Sequence, residues 1–290
     1  MAEEAWGRWG AGDERGALNL ITPDEVRQAV ALVKSGEVLS LAQDISDAMM
    51  IPPHRPRAVH FMGRDGGDYA AGARRPGGFQ FAEDSVLMPL HLGTHIDCLC
   101  HAWYGDKLYN GFAGNSVRSS GANRCGAQTQ LPIVTRGVLL DFVRLTGAPL
   151  ADGAIIGVEL LRRAVAQAGV EIRNGDAVLL RTGWLEAHEA AGKADFNAEP
   201  GLDIAAALVL AEAGAALVGA DNYAIEVLPF AEGTIFPVHQ RLIRDYGIPL
   251  LEGLVLKPLA EKGATQFLFM AAALPIVGAT GSPLTPVAVL

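Results

Sequence analysis

The chain has 290 residues, half of them apolar, and its 32 acidic against 23 basic side chains give a formal charge of −9. That apolar share builds a sizeable core and excludes a wholly disordered chain, while the acidic balance and the lack of any Lys/Arg-rich stretch exclude a phosphate-tracking nucleic-acid binder. The longest apolar stretch near the C-terminus, Phe267 to Ala279, is shorter than a bilayer span and contains Pro275, so no membrane partner is expected.

In chain order, Met1 to Trp6 begins acidic where a secretory signal would begin basic, which points to a cytoplasmic protein. Trp6 to Asp13, rich in Gly and aromatic residues, suits an ordered arm. Thr22 as N-cap, Pro23 at the first helical position and Glu25 as the capping-box partner predict a helix that buries Val26, Ala29, Val30 and Val33 and ends at Gly36. Residues 51–78, with their prolines, glycines, arginines, His54 and His60, predict a long excursion or lid in place of regular structure. Ser85 to Leu90 reads as a strand delivering the chain to His91.

Strands at Val138–Phe142, Ala177–Arg181, Ala216–Ala220 and Leu250–Leu256 alternate with helices at Val158–Ala168, Asp203–Ala213 and Val238–Tyr246, the last closed by Gly247. This predicts an α/β fold, a mixed sheet with flanking helices. No linker separates compositional halves, so one domain over 1–290 with an N-terminal arm of about 20 residues is expected. Cys98, Cys100 and Cys125 are too few for a disulfide framework and are expected as reduced thiols.

The chemistry concentrates in His91-Leu92-Gly93-Thr94-His95-Ile96-Asp97-Cys98-Leu99-Cys100-His101. If His95 to Asp97 is extended, the imidazole and the carboxylate project from one face while Ile96 faces the core. Gly93 lets the chain turn so that His91 reaches the same point. Two imidazoles, one carboxylate and an open position are what a catalytic zinc or manganese ion requires. Cys98 and Cys100 alternate with Asp97 along an extended segment, so both cannot join it at one ion, and they read as packing residues. Glu252 in a mostly apolar strand would be costly to bury without a partner, a penalty that a cation would remove.

The pattern His91-x-Gly93-Thr94-His95-x-Asp97-x-x-x-His101 resembles the signature of the cyclase-like metal hydrolases, a family that includes bacterial kynurenine formamidase, isatin hydrolase and certain cyclic imide hydrolases. Trp9-Gly10 through Asn19, Gly175-Asp176, Arg181 to Trp184 and Gly219-Ala220-Asp221 resemble further stretches of that family. The resemblance implies a swivelling β/β/α-like cyclase fold. It makes His91, His95 and Asp97 metal ligands and His101 the proton-transfer residue, with His239 and Glu252 completing the site or holding a second ion. It also implies one or two zinc or manganese ions, a small-molecule substrate with an amide, imide, formamide or lactone bond, and a homodimer or homotetramer. The commoner family pattern has proline two residues after the aspartate, where this chain has Leu99. Phe61, Trp103, Tyr104 and Trp184 are candidate walls of an apolar substrate pocket. The competing readings are a non-haem Fe(II) oxygenase built on His95, Asp97 and His239, and a protein that binds an ion without chemistry.

Overall fold

The computed structural model describes residues 5–130 and 132–290; the first four residues of the expected N-terminal arm lie outside that range. Nine strands form one mixed sheet: β1 (Val38–Ser40), β2 (His95–Asp97), β3 (Ile133–Asp141), β4 (Ala177–Arg181), β5 (Leu217–Ala220), β6 (Leu250–Glu252), β7 (Gln266–Ala271), β8 (Gly281–Pro283) and β9 (Val287–Val289). Their spatial order is β1-β9-β7-β3-β4-β5-β6-β2-β8. The central strands β3, β4, β5 and β6 run parallel, and antiparallel neighbours flank them on both sides.

Both faces of the sheet are covered, so its central strands are continuously apolar. Val138, Leu140, Val178, Leu180 and Val218 pack with Leu161 and Leu210 of helices Val158–Ala168 and Ile204–Glu212, and with Leu242 of the segment after Pro237. The alternate residues Leu139, Leu179, Leu217, Leu251 and Ile96 face a second cluster with Leu18, Leu254, Leu259, Phe267 and Phe269. Among the described residues no helix is long and apolar enough to cross a membrane.

The capping box at Thr22 and Glu25 is present, but the helix it starts spans Pro23–Val30 and stops short of Gly36. The predicted excursion at 51–78 differs more. It contains the strand Val59–Arg64 and a short helix Gly66–Ala70, and the strand pairs with Glu83–Leu87 in a separate two-stranded hairpin whose apolar residues stay exposed. Ser85 to Leu90 is therefore not a strand leading into the central sheet; Pro89 lacks the N–H a ladder needs, and the chain reaches His91 through bends. Similarly, β6 stops at Glu252, because Gly253 turns the chain at φ +64°.

A buried ion pair ties β3 to the loop before β4. Arg136 donates Nε to Asp176 Oδ1 at 2.8 Å and Nη2 to Oδ2 at 2.6 Å, and also reaches the Glu171 carbonyl. Asp176→Ala strands that guanidinium in the interior and should cost about 3–5 kcal/mol. Urea unfolding monitored by circular dichroism would show it as a lowered midpoint.

Candidate metal centre and adjoining cavity

The site forms where β2 lies between β6 and β8. The antiparallel register sets Glu252 opposite His95 and Gly281 opposite Asp97. Because side chains alternate, His95 and Asp97 leave the sheet on the face opposite Ile96, as the sequence pattern requires. Gly93, at φ +59°, turns the incoming chain so that His91 folds back over the strand. Gly281 makes room for it, since a Cβ there would lie 2.4 Å from the His91 ring.

Five of the predicted side chains and His101 converge. His91 Nδ1 is 2.7 Å from Asp97 Oδ1, His95 Nε2 is 3.1 Å from Glu252 Oε2, and His239 Nε2 is 3.2 Å from Glu252 Oε1 and 3.5 Å from Asp97 Oδ2. His101 approaches Asp97 Oδ2 to 3.8 Å. It does so because residues 98–101 form a turn, with the His101 N–H donating to the Cys98 carbonyl, and not the extended segment expected. Cys98 and Cys100 are fully buried in the core, as packing residues would be.

Two donor groups share Asp97: His95, Asp97 and Glu252, all buried, and His91, Asp97 and His101, of which His101 lines the cavity. The test of fit to a cation is local. His95 Nε2 and Asp97 Oδ2 are buried without a hydrogen-bond partner, His95 Nε2 lying near Glu252 but poorly aligned to it. Buried polar groups are ordinarily satisfied, and a divalent ion would satisfy both atoms at once.

The surroundings orient the candidate ligands. His95 Nδ1 bonds the Gly93 carbonyl at 2.8 Å, which directs Nε2 into the site. His239 Nδ1 bonds Glu226 Oε1 at 2.6 Å, and Glu226 also accepts the backbone N–H groups of Val238 and His239. His239 sits where the helical turn Pro237–His239 widens into a π-helix, Gln240–Asp245, an arrangement frequent at functional sites.

Burial works against charge throughout, and the neighbours decide the outcome. Asp97 is held well below the usual carboxylate range by the His101 and His91 imidazoles, which overcome its desolvation. His239 is raised well above the usual histidine range, because Asp97, Glu226 and Glu252 outweigh desolvation. His101 goes the other way: burial pushes it down to about 4, more than Asp97 lifts it, so it is neutral at pH 7. Glu199 is pushed up to about 8 by burial, against the backbone N–H of Tyr223 that it accepts.

A cavity of about 630 Å³ opens onto the centre, touching His101, His239, Glu252 and Glu199. Its aromatic walls are Phe196 with Tyr223, ring centroids 5.4 Å apart, and Phe230 with Phe236, 4.7 Å apart. None of the four aromatic residues predicted as pocket walls lines it. Phe61 lies exposed on the hairpin and Trp103 on the surface, while Tyr104 donates its hydroxyl to Asp245. Trp184 stands one layer behind, against Phe196 and Tyr223, because its indole is buried in the third hydrophobic cluster. Proximity to His101 in sequence was a poor guide to walls that come from residues 196–236. Arg55 falls in the predicted excursion at 51–78, whose residues 52–55 line the cavity, whereas for Glu199, Tyr223 and Glu226 the sequence offers only an acidic residue inside the apolar stretch Ala224-Ile225-Glu226-Val227.

This sheet, with its two histidine–carboxylate donor groups sharing one aspartate, defines an α/β protein of the cyclase fold. The chain belongs to the cyclase family: the family model described as "Putative cyclase" matches residues 39–227. A crystal structure of "a novel cyclase" is 36% identical with a TM-score of 0.91, covering 99% of both chains. Isatin hydrolase A from Labrenzia aggregata, bound to benzyl benzoate, is similar at 20% identity and TM-score 0.63, over 91% of this chain and 98% of that one. A "potential metal-dependent hydrolase with cyclase activity" is similar at 20% identity and TM-score 0.57, over 87% and 98%. No curated protein matches the sequence.

Glu226→Gln should weaken zinc affinity about 10- to 100-fold, as loss of an orienting partner does elsewhere, read by competition with a chromophoric chelator. The sign of the pH dependence follows from His239. Its protonation stabilises the metal-free fold fully below about 6.5, and this contribution fades as pH rises through its elevated folded value. An ion that His239 helps to hold would displace that proton, so zinc affinity should rise with pH over the same range. Calorimetry in buffers of different ionisation enthalpy should show proton release on loading at pH 7.

Proposed function

We propose that the protein is a metal-dependent hydrolase that cleaves an amide-type bond in a small molecule, a cyclic amide or imide, an N-formyl aryl amine, or by the same chemistry a lactone, with zinc or manganese as its ion. The observation that carries this reading is the pair of orphaned atoms, His95 Nε2 and Asp97 Oδ2, buried beside Glu252 and His239 at the floor of the cavity. The cavity size falls within the range typical of small-molecule sites.

His91, His95 and Asp97, with His239 and Glu252, would hold one or two ions around the shared Asp97 carboxylate, which His91 also contacts through Nδ1. A zinc ion held there would supply Lewis acidity, lowering the pKa of water to about 7 and polarising a carbonyl. His101, neutral and reaching the cavity, takes a proton from the attacking water on a ring nitrogen and delivers it to the departing nitrogen or oxygen. The aromatic walls receive the flat part of the substrate.

The oxygenase alternative would use a double-sheet barrel and a three-donor triad. A single sheet with interleaved helices, and Glu252 as a fourth donor facing His95, weigh against it. The family's homodimer or homotetramer is carried forward in this reading. It is supported by the hairpin that leaves Val59, Phe61, Val86 and Leu87 exposed, since a lone two-stranded sheet is marginal in water.

Elemental analysis of the purified protein, followed by a panel of cyclic imides, N-formyl aryl amines, isatin-like rings and lactones, tests the proposal. Asp97→Ala should lose the ion and all turnover; full metal occupancy in that variant would refute the assignment. His101→Asn should keep its metal while turnover falls about 10²- to 10⁴-fold. Undiminished turnover would remove His101 from the reaction.

A further inference from the structure

Beside the metal centre, the cavity contains a cation with no counter-ion among the described residues. Arg55 lines the same space as His101, His239 and Glu252, yet no carboxylate lies within ion-pair distance of it. Arg136 and Arg181, by contrast, are each answered by acidic partners. Arg55 is half-buried and not a freely solvated surface side chain. Its Nη1 donates to the carbonyl of His91, which leaves Nε and Nη2 to reach a ligand.

The backbone around it is stiff. Arg55 N–H closes a turn onto the Pro52 carbonyl at 3.0 Å, Pro52 is buried, and Pro53 and Pro56 fix two further φ angles. A guanidinium held in this way has lost most of its freedom before any ligand arrives, so little ordering cost remains on binding. A fixed positive charge next to a centre suited to a divalent cation is repulsive. An anion between them, in a space walled by Phe196, Tyr223, Phe230 and Phe236, reverses the sign of that interaction. The planar fork of a guanidinium matches a carboxylate in shape and donor spacing.

We propose that Arg55 is a specificity-determining residue that binds a carboxylate carried by the substrate away from the scissile bond, so that the substrate is a flat, anionic amide-type compound. The reaction assigned to that compound rests on the hydrolase reading, whereas the carboxylate recognition rests on the geometry of Arg55 alone.

Two measurements separate these parts. In the first, metal-free protein is titrated calorimetrically with benzoate and with its neutral isostere benzamide. Benzoate should bind roughly ten- to a hundredfold tighter, Arg55→Met should abolish the difference, and Arg55→Lys should keep part of it. In the second, metal-loaded protein is assayed with 2-formamidobenzoate and formanilide. The ratio of their kcat/KM values should favour the acid by a similar factor in the parent protein and fall to about one in Arg55→Met, with circular dichroism and zinc content confirming that the variant is folded and loaded. Equal binding of benzoate and benzamide to the parent protein, or a preference for the acid that survives Arg55→Met, overturns the proposal. If neither formamide nor any compound of the cyclic imide, isatin-like and lactone panel is hydrolysed while benzoate binding still depends on Arg55, the hydrolase reading fails and the carboxylate site stands.

Discussion

A buried carboxylate organises everything around it. Asp97 is 1% exposed on β2, next to the edge strand β8, and a negative charge buried there is tolerable only if positive charge or directed N–H groups surround it. The protein surrounds it with four imidazoles, His91, His95, His101 and His239. Of two more buried carboxylates, Glu226 stands behind His239 at Nδ1 and Glu252 beside Asp97 at Nε2. Without a cation this arrangement is satisfied only by keeping protons on imidazoles, which is why His239 and His95 are both raised despite their burial. His101, nearer the cavity and lacking a second carboxylate in contact, escapes that demand and stays neutral.

Holding these groups together requires unfavourable backbone. Ile225 lies at φ +59°, a region β-branched residues avoid, and Phe236 lies at φ +45°. The first brings Glu226 under His239, supported by the Asn222 side chain, which accepts the Ile225 N–H and donates to the Pro200 carbonyl. The second starts the turn that carries His239. Costs of order 1–3 kcal/mol per residue are typical of such conformations, and they persist where the surrounding contacts over-determine them. Both residues flank the centre, so the strain falls on the segment that positions Glu226 and His239.

How much of this could be read from the sequence depended on whether the signal was local. The helix Val158–Ala168 follows its apolar periodicity and Ile204–Glu212 its Asp203 cap, and His95–Asp97 is legible because a three-residue alternation fixes both face and spacing. The family-like stretches outside the histidine cluster were equally visible, but their work is structural. Asp221 accepts N–H and hydroxyl bonds from Thr182 and an N–H from Gly183, joining β5 to the end of β4, and Gly16 at φ +60° packs where a Cβ would strike the Gly247 carbonyl. The pocket walls were not legible. Phe196, Tyr223, Phe230 and Phe236 come from irregular segments brought together by the ends of β4 and β5, and no periodicity marks such residues. The hairpin failed for a related reason: its apolar residues lie exposed on both strands, so the in–out alternation that identifies a strand carries no information there.

The far face of the sheet has its own part in the chemistry. Side chains on a strand alternate with a period of two, so a slip of one residue between β2 and β6 would put Ile96 into the site and His95 and Asp97 into the apolar cluster. What prevents the slip is the packing of Ile96 and Leu251 against Leu18, Leu254 and Phe267, on the side that no ligand touches. A shift there of a few tenths of an ångström is passed to the donor atoms through three short strands with no slack between them, since close-packed interiors transmit displacement and do not absorb it. The position of the imidazoles and carboxylates is thus set by hydrophobic contacts that hold no chemistry of their own.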